Sequence, residues 1–150
     1  MSEYQDMKRY IKLLLLAFVS QWTWADCIEL NGSQYCGKGE CVELNGSAYC
    51  SDNNGGQARI HNGAPVCGAG KCLEKDGNIY CSSYPGGGII ENNSSLWSGP
   101  GECLVHNGNA YCAKEPSGRC FIHQGSVKCQ GGWVREKPER AMRCERAVKL

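Results

Sequence analysis

The chain has 150 residues, 12 of them cysteine and 20 glycine, and its 16 Lys and Arg nearly balance 15 Asp and Glu for a formal net charge of +1. Cysteine at this density is characteristic of exported disulfide scaffolds and argues against a cytosolic protein. The lack of a large basic excess argues against a nucleic-acid partner.

From the N-terminus, Met7-Lys8-Arg9 opens a short basic region, Ile11 to Val19 is largely apolar, and Thr23-Trp24-Ala25 offers small residues at the −3 and −1 positions of a cleavage site. This is the grammar of an export signal over residues 1–25, with translation expected to start at Met7. The apolar stretch falls short of the roughly 20 residues that span a bilayer, so no transmembrane segment is expected in the mature chain. Cleavage after Ala25 would leave Asp26 first and Cys27 second. Lipid attachment needs cysteine first, so a lipoprotein is not expected. The expected location is periplasmic or extracellular.

From Cys27 onward the chain repeats with a period of 31 residues, the copies starting at Cys27, Ala58, Ile89 and Cys120. Each copy runs Cys, eight residues, Cys, four residues, Cys, eight residues, Cys, and then seven residues to the next. In Cys41 to Cys50 the centre is Asn45-Gly46, the strongest short-range signal for a type I′ turn, which needs positive φ at both central residues. A two-residue loop pairs Leu44 with Ser47, Glu43 with Ala48, Val42 with Tyr49 and Cys41 with Cys50. Hydrogen-bonded and non-hydrogen-bonded pairs alternate outward from the turn, so the cysteines fall on a non-hydrogen-bonded pair, where side chains approach closely enough for a disulfide.

The same frame covers Cys27 to Cys36, Cys72 to Cys81, Cys103 to Cys112 and Cys120 to Cys129, and predicts those bridges. Ile89 to Ser98 keeps the frame but lacks both cysteines, as positions one and ten should if they pair. Ala58 to Cys67 lacks only the first, and its Pro65 sits at position eight, whose N–H takes no part in the hairpin's own ladder. Cys67 and Cys144 pair by elimination, the alternative being a free or intermolecular thiol. The close cysteine pairs belong to different hairpins, which argues against zinc, and no metal or cofactor is expected.

Gly37-Lys38-Gly39-Glu40, Gly68-Ala69-Gly70-Lys71 and Gly99-Pro100-Gly101-Glu102 suit tight turns that would join two hairpins into a four-stranded meander. Constant seven-residue linkers, such as Ser51 to Gln57, imply constant geometry between copies. The expected fold is all-β: tandem disulfide-stapled hairpins over 26–133 in an open solenoid-like array, with a small four-bladed propeller as the alternative. Residues 134–150 lack a hairpin turn and read as a degenerate last repeat with a short basic helical cap over Pro138 to Leu150. Lys and Arg outnumber Asp and Glu six to three over 133–150, against seven to ten over 26–132, which suggests internal or head-to-tail attraction.

Positions two and nine share the face opposite the bridge and pair Ile28 with Tyr35, Val42 with Tyr49, Leu73 with Tyr80, Ile90 with Trp97 and Leu104 with Tyr111. The row Tyr35, Tyr49, Tyr80, Trp97 and Tyr111 is the candidate binding surface, since each ring offers a flat apolar face with a polar edge to a glycan. The same rings would also serve simply as packing between hairpins. His61, His106 and His123 all occupy position four beside the turn, where a solvated role is favoured over a metal site or pH switch. Glu29, Glu43, Glu74 and Glu91 recur at position three, but equivalent carboxylates lack the two differing environments that glycoside hydrolysis uses. Asn31, Asn45, Asn92 and Asn93 match the N-glycosylation pattern, the first two inside expected turns.

In outline the hairpin-plus-aromatic pattern resembles the cell-wall-binding hairpin repeats of bacterial surface proteins, which differ in spacing, carry more tryptophan and lack a cysteine ladder. The functional expectation is a non-enzymatic binding module for a glycan or other envelope component. A disulfide-stabilised structural or assembly protein, or an inhibitor that takes an extracellular enzyme as its protein partner, are the alternatives.

Overall fold

A computed structural model describes residues 26–150 and contains strands but no helix among them. The expected export signal lies outside the described residues. Seven antiparallel hairpins follow one another over 26–37, 41–50, 58–67, 72–81, 88–99, 103–113 and 120–129, here called hairpins 1 to 7. Each reverses through two residues of positive φ, for example Asn45 at 51° and Gly46 at 79°. Hairpin 5 makes the same turn with Asn93 and Ser94 at 49° and 60°. The register opposes Leu44 to Ser47, Val42 to Tyr49 and Cys41 to Cys50, and the other hairpins repeat it.

Six disulfides close the structure. Five join positions one and ten of a hairpin, with Cα separations of 3.9–4.0 Å, the close approach of a non-hydrogen-bonded pair. The sixth joins Cys67 to Cys144 within the chain across a sequence separation of 77.

The hairpins do not merge into four-stranded meanders. Each is its own two-stranded sheet, widened to three in hairpins 1, 2, 3, 4 and 6 by a strand from the C-terminus. The glycine linkers turn each hairpin onto the face of the next instead of onto its edge. A Cβ added at Gly37, Gly68 or Gly99 would overlap the Cβ of Cys50, Cys81 or Cys112 respectively. The backbone therefore rests directly on the following disulfide. Linker bonds recur at the 31-residue offset: Gly39, Gly70 and Gly101 donate to the carbonyls of Ser51, Ser82 and Ala113 at 3.0, 3.1 and 2.9 Å.

Residues 134–150 are not a helical cap. From Trp133 the chain runs back over the hairpins as an extended strap. Trp133–Val134 pairs with hairpin 6, Glu136 bridges Ser98 of hairpin 5, and Glu139–Arg140, Met142–Arg143, Glu145–Arg146 and Val148–Lys149 pair with hairpins 4, 3, 2 and 1. Its amides are taken by the hairpins: Ala141, Cys144, Ala147 and Leu150 donate to the carbonyls of Ile79, Pro65, Ala48 and Gln34 at 2.9–3.1 Å. All four acceptors are position-eight residues, whose carbonyls point away from the hairpin's own ladder. Good helix formers such as Glu, Arg and Ala thus lie extended because every third N–H has a fixed partner outside the strap. Pro138 has no N–H to give Leu96, and at hairpin 5 the pairing shrinks to the Ser98–Glu136 bridge, with bonds of 2.8 and 2.9 Å.

Between hairpins, the position-two and position-nine face packs on the next disulfide face. Val42 and Tyr49 of hairpin 2 lie against buried Ala58, Cys67 and Cys144. Val66 of hairpin 3 lies against Cys72, Ile79 and Cys81 of hairpin 4. The core is therefore a series of thin layers, capped by sulfur except at hairpin 5, where Ile89 and Ser98 hold the cysteine positions.

The Cys67–Cys144 bond is the strap's one covalent tie among the described residues. With the internal hairpin bridges shortening the loop, chain entropy gives it about 4 kcal/mol. Cys144→Ser is expected to accelerate hydrogen exchange at the Ala141 and Ala147 amides while those within hairpins 2 and 4 stay protected. Gly68→Ala should cost about 1–3 kcal/mol by forcing the Cys72–Cys81 bridge aside, measured by denaturant unfolding of the oxidised protein.

Candidate functional site

The strap brings cations to the rings of the hairpins. In an antiparallel pair, directly opposed residues point to the same face. Arg146 opposes Tyr49, Arg140 opposes Tyr80 and Lys149 opposes Tyr35, while Arg143 opposes Val66 in the one non-aromatic row of these four. A row across a widened sheet thus reads aliphatic, aromatic, cation, as in Val42–Tyr49–Arg146. The Arg146 guanidinium carbon is 6.0 Å from the centroid of the Tyr49 ring. Arg140 also donates to the Asn78 side chain.

The densest part lies at hairpins 5 and 6. Lys137 Nζ stands 4.2 Å above the Trp97 ring. The Arg135 guanidinium lies 5.8 Å from Trp97 and 5.3 Å from Trp133. Trp133 meets Tyr111 edge-on at 5.0 Å and remains 46% exposed. These separations are in the range of cation–π attraction.

All five rings expected from the sequence are half-buried and lie on one kind of face, one per hairpin, in hairpins 1, 2, 4, 5 and 6. Tyr49 also packs against the hairpin-3 core, so this ring contributes to stability as well as to surface. The strap cations Arg135, Lys137, Arg140, Arg143, Arg146 and Lys149, all exposed, were not among the sequence candidates. The signal for them is the triplet pattern Glu139-Arg140-Ala141, Met142-Arg143-Cys144, Glu145-Arg146-Ala147, Val148-Lys149-Leu150.

The position-four residues join neighbouring turns. His61 donates from Nε2 to the Gly77 carbonyl at 2.7 Å and His106 to the Gly125 carbonyl at 3.2 Å. Asn92 reaches the Gly108 carbonyl at 3.0 Å, and Lys75 pairs with Glu91 at 3.0 Å. The three histidines stand on hairpins 3, 6 and 7 and are not brought together. No group of three or more His, Cys, Asp or Glu that could hold a metal occurs among the described residues.

One titrating contact ties a linker to the strap. The Tyr84 hydroxyl donates to Glu136 Oε1 at 3.0 Å, and that hydrogen bond, with smaller contributions from burial and the carboxylate charge, raises the Tyr84 pKa above 10.0. A raised pKa means that the contact contributes fully below the ordinary phenol pKa and is lost as pH climbs through the folded value.

The chain matches no family model, no curated protein and no solved structure.

The Tyr84 phenol should ionise later than free tyrosine in an ultraviolet titration read as the difference between the native protein and Tyr84→Phe. Glu136→Gln should bring that midpoint back toward 10, because the carboxylate's hydrogen bond that favours the neutral phenol is lost and with it the charge that opposes the phenolate.

Proposed function

We propose that this is an exported, non-enzymatic binding module whose strap-side edge takes an extended acidic glycan of the envelope or extracellular space. One observation carries this reading: a cation stands beside the hairpin faces at every third residue from Lys137 to Lys149, with Lys137 directly over Trp97 at 4.2 Å. A half-exposed ring can stack on the apolar face of a sugar while its neighbouring cation pairs with a carboxylate or sulfate. Each contact is weak when solvent-exposed, and regular recurrence along one chain converts the later contacts into intramolecular events.

Six disulfides fit an oxidising compartment, where such bonds persist. Near-equivalent hairpins favour repeated binding over catalysis, which works through differentiated acid and base environments. In this reading the four 31-residue copies form an open array, consistent with a strap that visits hairpins 6 to 1 in strict reverse order. The intrachain Cys67–Cys144 bond leaves neither cysteine for interchain polymerisation, which weakens the structural alternative that relied on them.

Converting Arg143, Arg146 and Lys149 together to Gln should weaken binding to an acidic polysaccharide such as polygalacturonate about tenfold, and flatten its salt dependence. Isothermal titration against polygalacturonate and dextran at two salt concentrations checks this. Equal affinity for the charged and neutral polymers would remove the role given to the strap cations.

A further inference from the structure

Among the described residues, the stacking rule leaves one face of each kind unused at the two ends of the array. Inside the chain, the position-two and position-nine face of one hairpin packs on the disulfide face of the next. This holds across a seven-residue linker, from hairpin 2 to hairpin 3, and across a four-residue linker, from hairpin 3 to hairpin 4.

Hairpin 7 has no successor. Its Phe121 at position two, directly opposite Lys128, is 52% exposed, whereas Val42, Leu73, Ile90 and Leu104 at the same position are half-buried. Among the described residues, hairpin 1 has no predecessor. Its disulfide face carries Cys27–Cys36, with Val148 opposite Cys36 and 50% exposed, and Leu150, held to the Gln34 carbonyl and 61% exposed.

The charges complement each other as well. Lys128 and His123 share the open face of hairpin 7, while exposed Glu29 lies on the open face of hairpin 1. A two-fold pairing of hairpin 7 with itself would bring two Lys128-bearing faces of like charge together. Pairing hairpin 7 with hairpin 1 sets it against Glu29 and repeats the contact already used inside the chain.

We propose that copies of this chain associate head to tail, the Phe121–Lys128 face of hairpin 7 docking on the Cys27–Cys36, Val148 and Leu150 face of hairpin 1 in the next copy. Such an interface is heterologous and adds subunits in one direction. One hairpin face is small, so each junction is weak, with a dissociation constant of about 0.1–1 mM. An anionic polymer bound along the edge is not required for this association.

The test uses the oxidised protein purified from an oxidising compartment with the N-terminus that processing gives it, in sedimentation velocity up to about 1 mM. The wild type should show a mean size that keeps rising with concentration. Phe121→Glu and Val148→Glu each block one end at an exposed position and should each be monomeric. Mixed in equal amounts they should form a dimer and nothing larger, since each supplies the end the other lacks. Mass spectrometry of intact disulfides shows that both variants fold. A second pair, Lys128→Glu and Glu29→Lys, should each weaken assembly alone and restore it together. A wild type that stays monomeric, a wild type that stops at a dimer, or a mixture that does not pair would overturn the proposal.

Discussion

The structure depends on a disulfide placed at the closest-approach pair of a ten-residue hairpin with four-residue strands. Strands this short bury little, and an isolated hairpin is marginal in water. The bridge between Cys41 and Cys50, with its Cα atoms 4.0 Å apart, removes much of that instability by restricting the open chain. It also gives the hairpin a flat face with little side-chain relief. Gly37, Gly68 and Gly99 exploit that flatness, because only a residue without a Cβ can lie where the next cystine already sits. The linker glycines, the layer spacing and the path of the strap all follow from this one contact.

The strap follows the spacing that the disulfides set. An extended chain rises about 3.3 Å per residue, so three residues cover roughly 10 Å, the usual separation of sheets packed face to face. One triplet therefore serves one hairpin, and its three positions meet three environments. The first opposes position ten, the second stands beside position nine, and the third gives its N–H to the carbonyl of position eight. Residue choice follows environment: Ala141, Cys144 and Ala147 are small at the third position, while Arg140, Arg143 and Arg146 are long and charged at the second. Cys144 falls in a small slot next to Cys67, the cysteine whose hairpin lacks its own partner at Ala58.

The hairpins were legible in the sequence because everything that defines them is local. Asn45-Gly46 fixes the turn, the turn fixes the register, and the register puts Cys41 opposite Cys50 and Val42 opposite Tyr49 within ten residues. The strap was not legible for the opposite reason. Glu139 to Ala147 is rich in good helix formers, and its true partners, from Tyr80 back to Tyr49, are remote in sequence and contribute two residues each. A helix of that length is itself marginal in water, so four outside hydrogen-bond acceptors at a spacing of three outweigh the local preference. The linkers were half legible: Gly-x-Gly announced a tight turn, but the chain turns onto the face of the next hairpin and not onto its edge, as the expected meander would require.

Charge along the strap is ordered by position within the triplet. Counted along the sequence, the strap is only mildly basic, because Glu136, Glu139 and Glu145 offset half of its cations. In an extended strand, however, neighbours point to opposite sides. The glutamates oppose Ser98, Cys81 and Cys50 on the disulfide side, and the cations oppose Tyr80, Val66, Tyr49 and Tyr35 on the ring side. Within one hairpin layer the triplet thus puts its acid on the disulfide side and its cation on the ring side. Because the ring side of one hairpin faces the disulfide side of the next, acids and cations meet between layers, and Glu139, Arg140, Arg143 and Glu145 line one cleft along the strap.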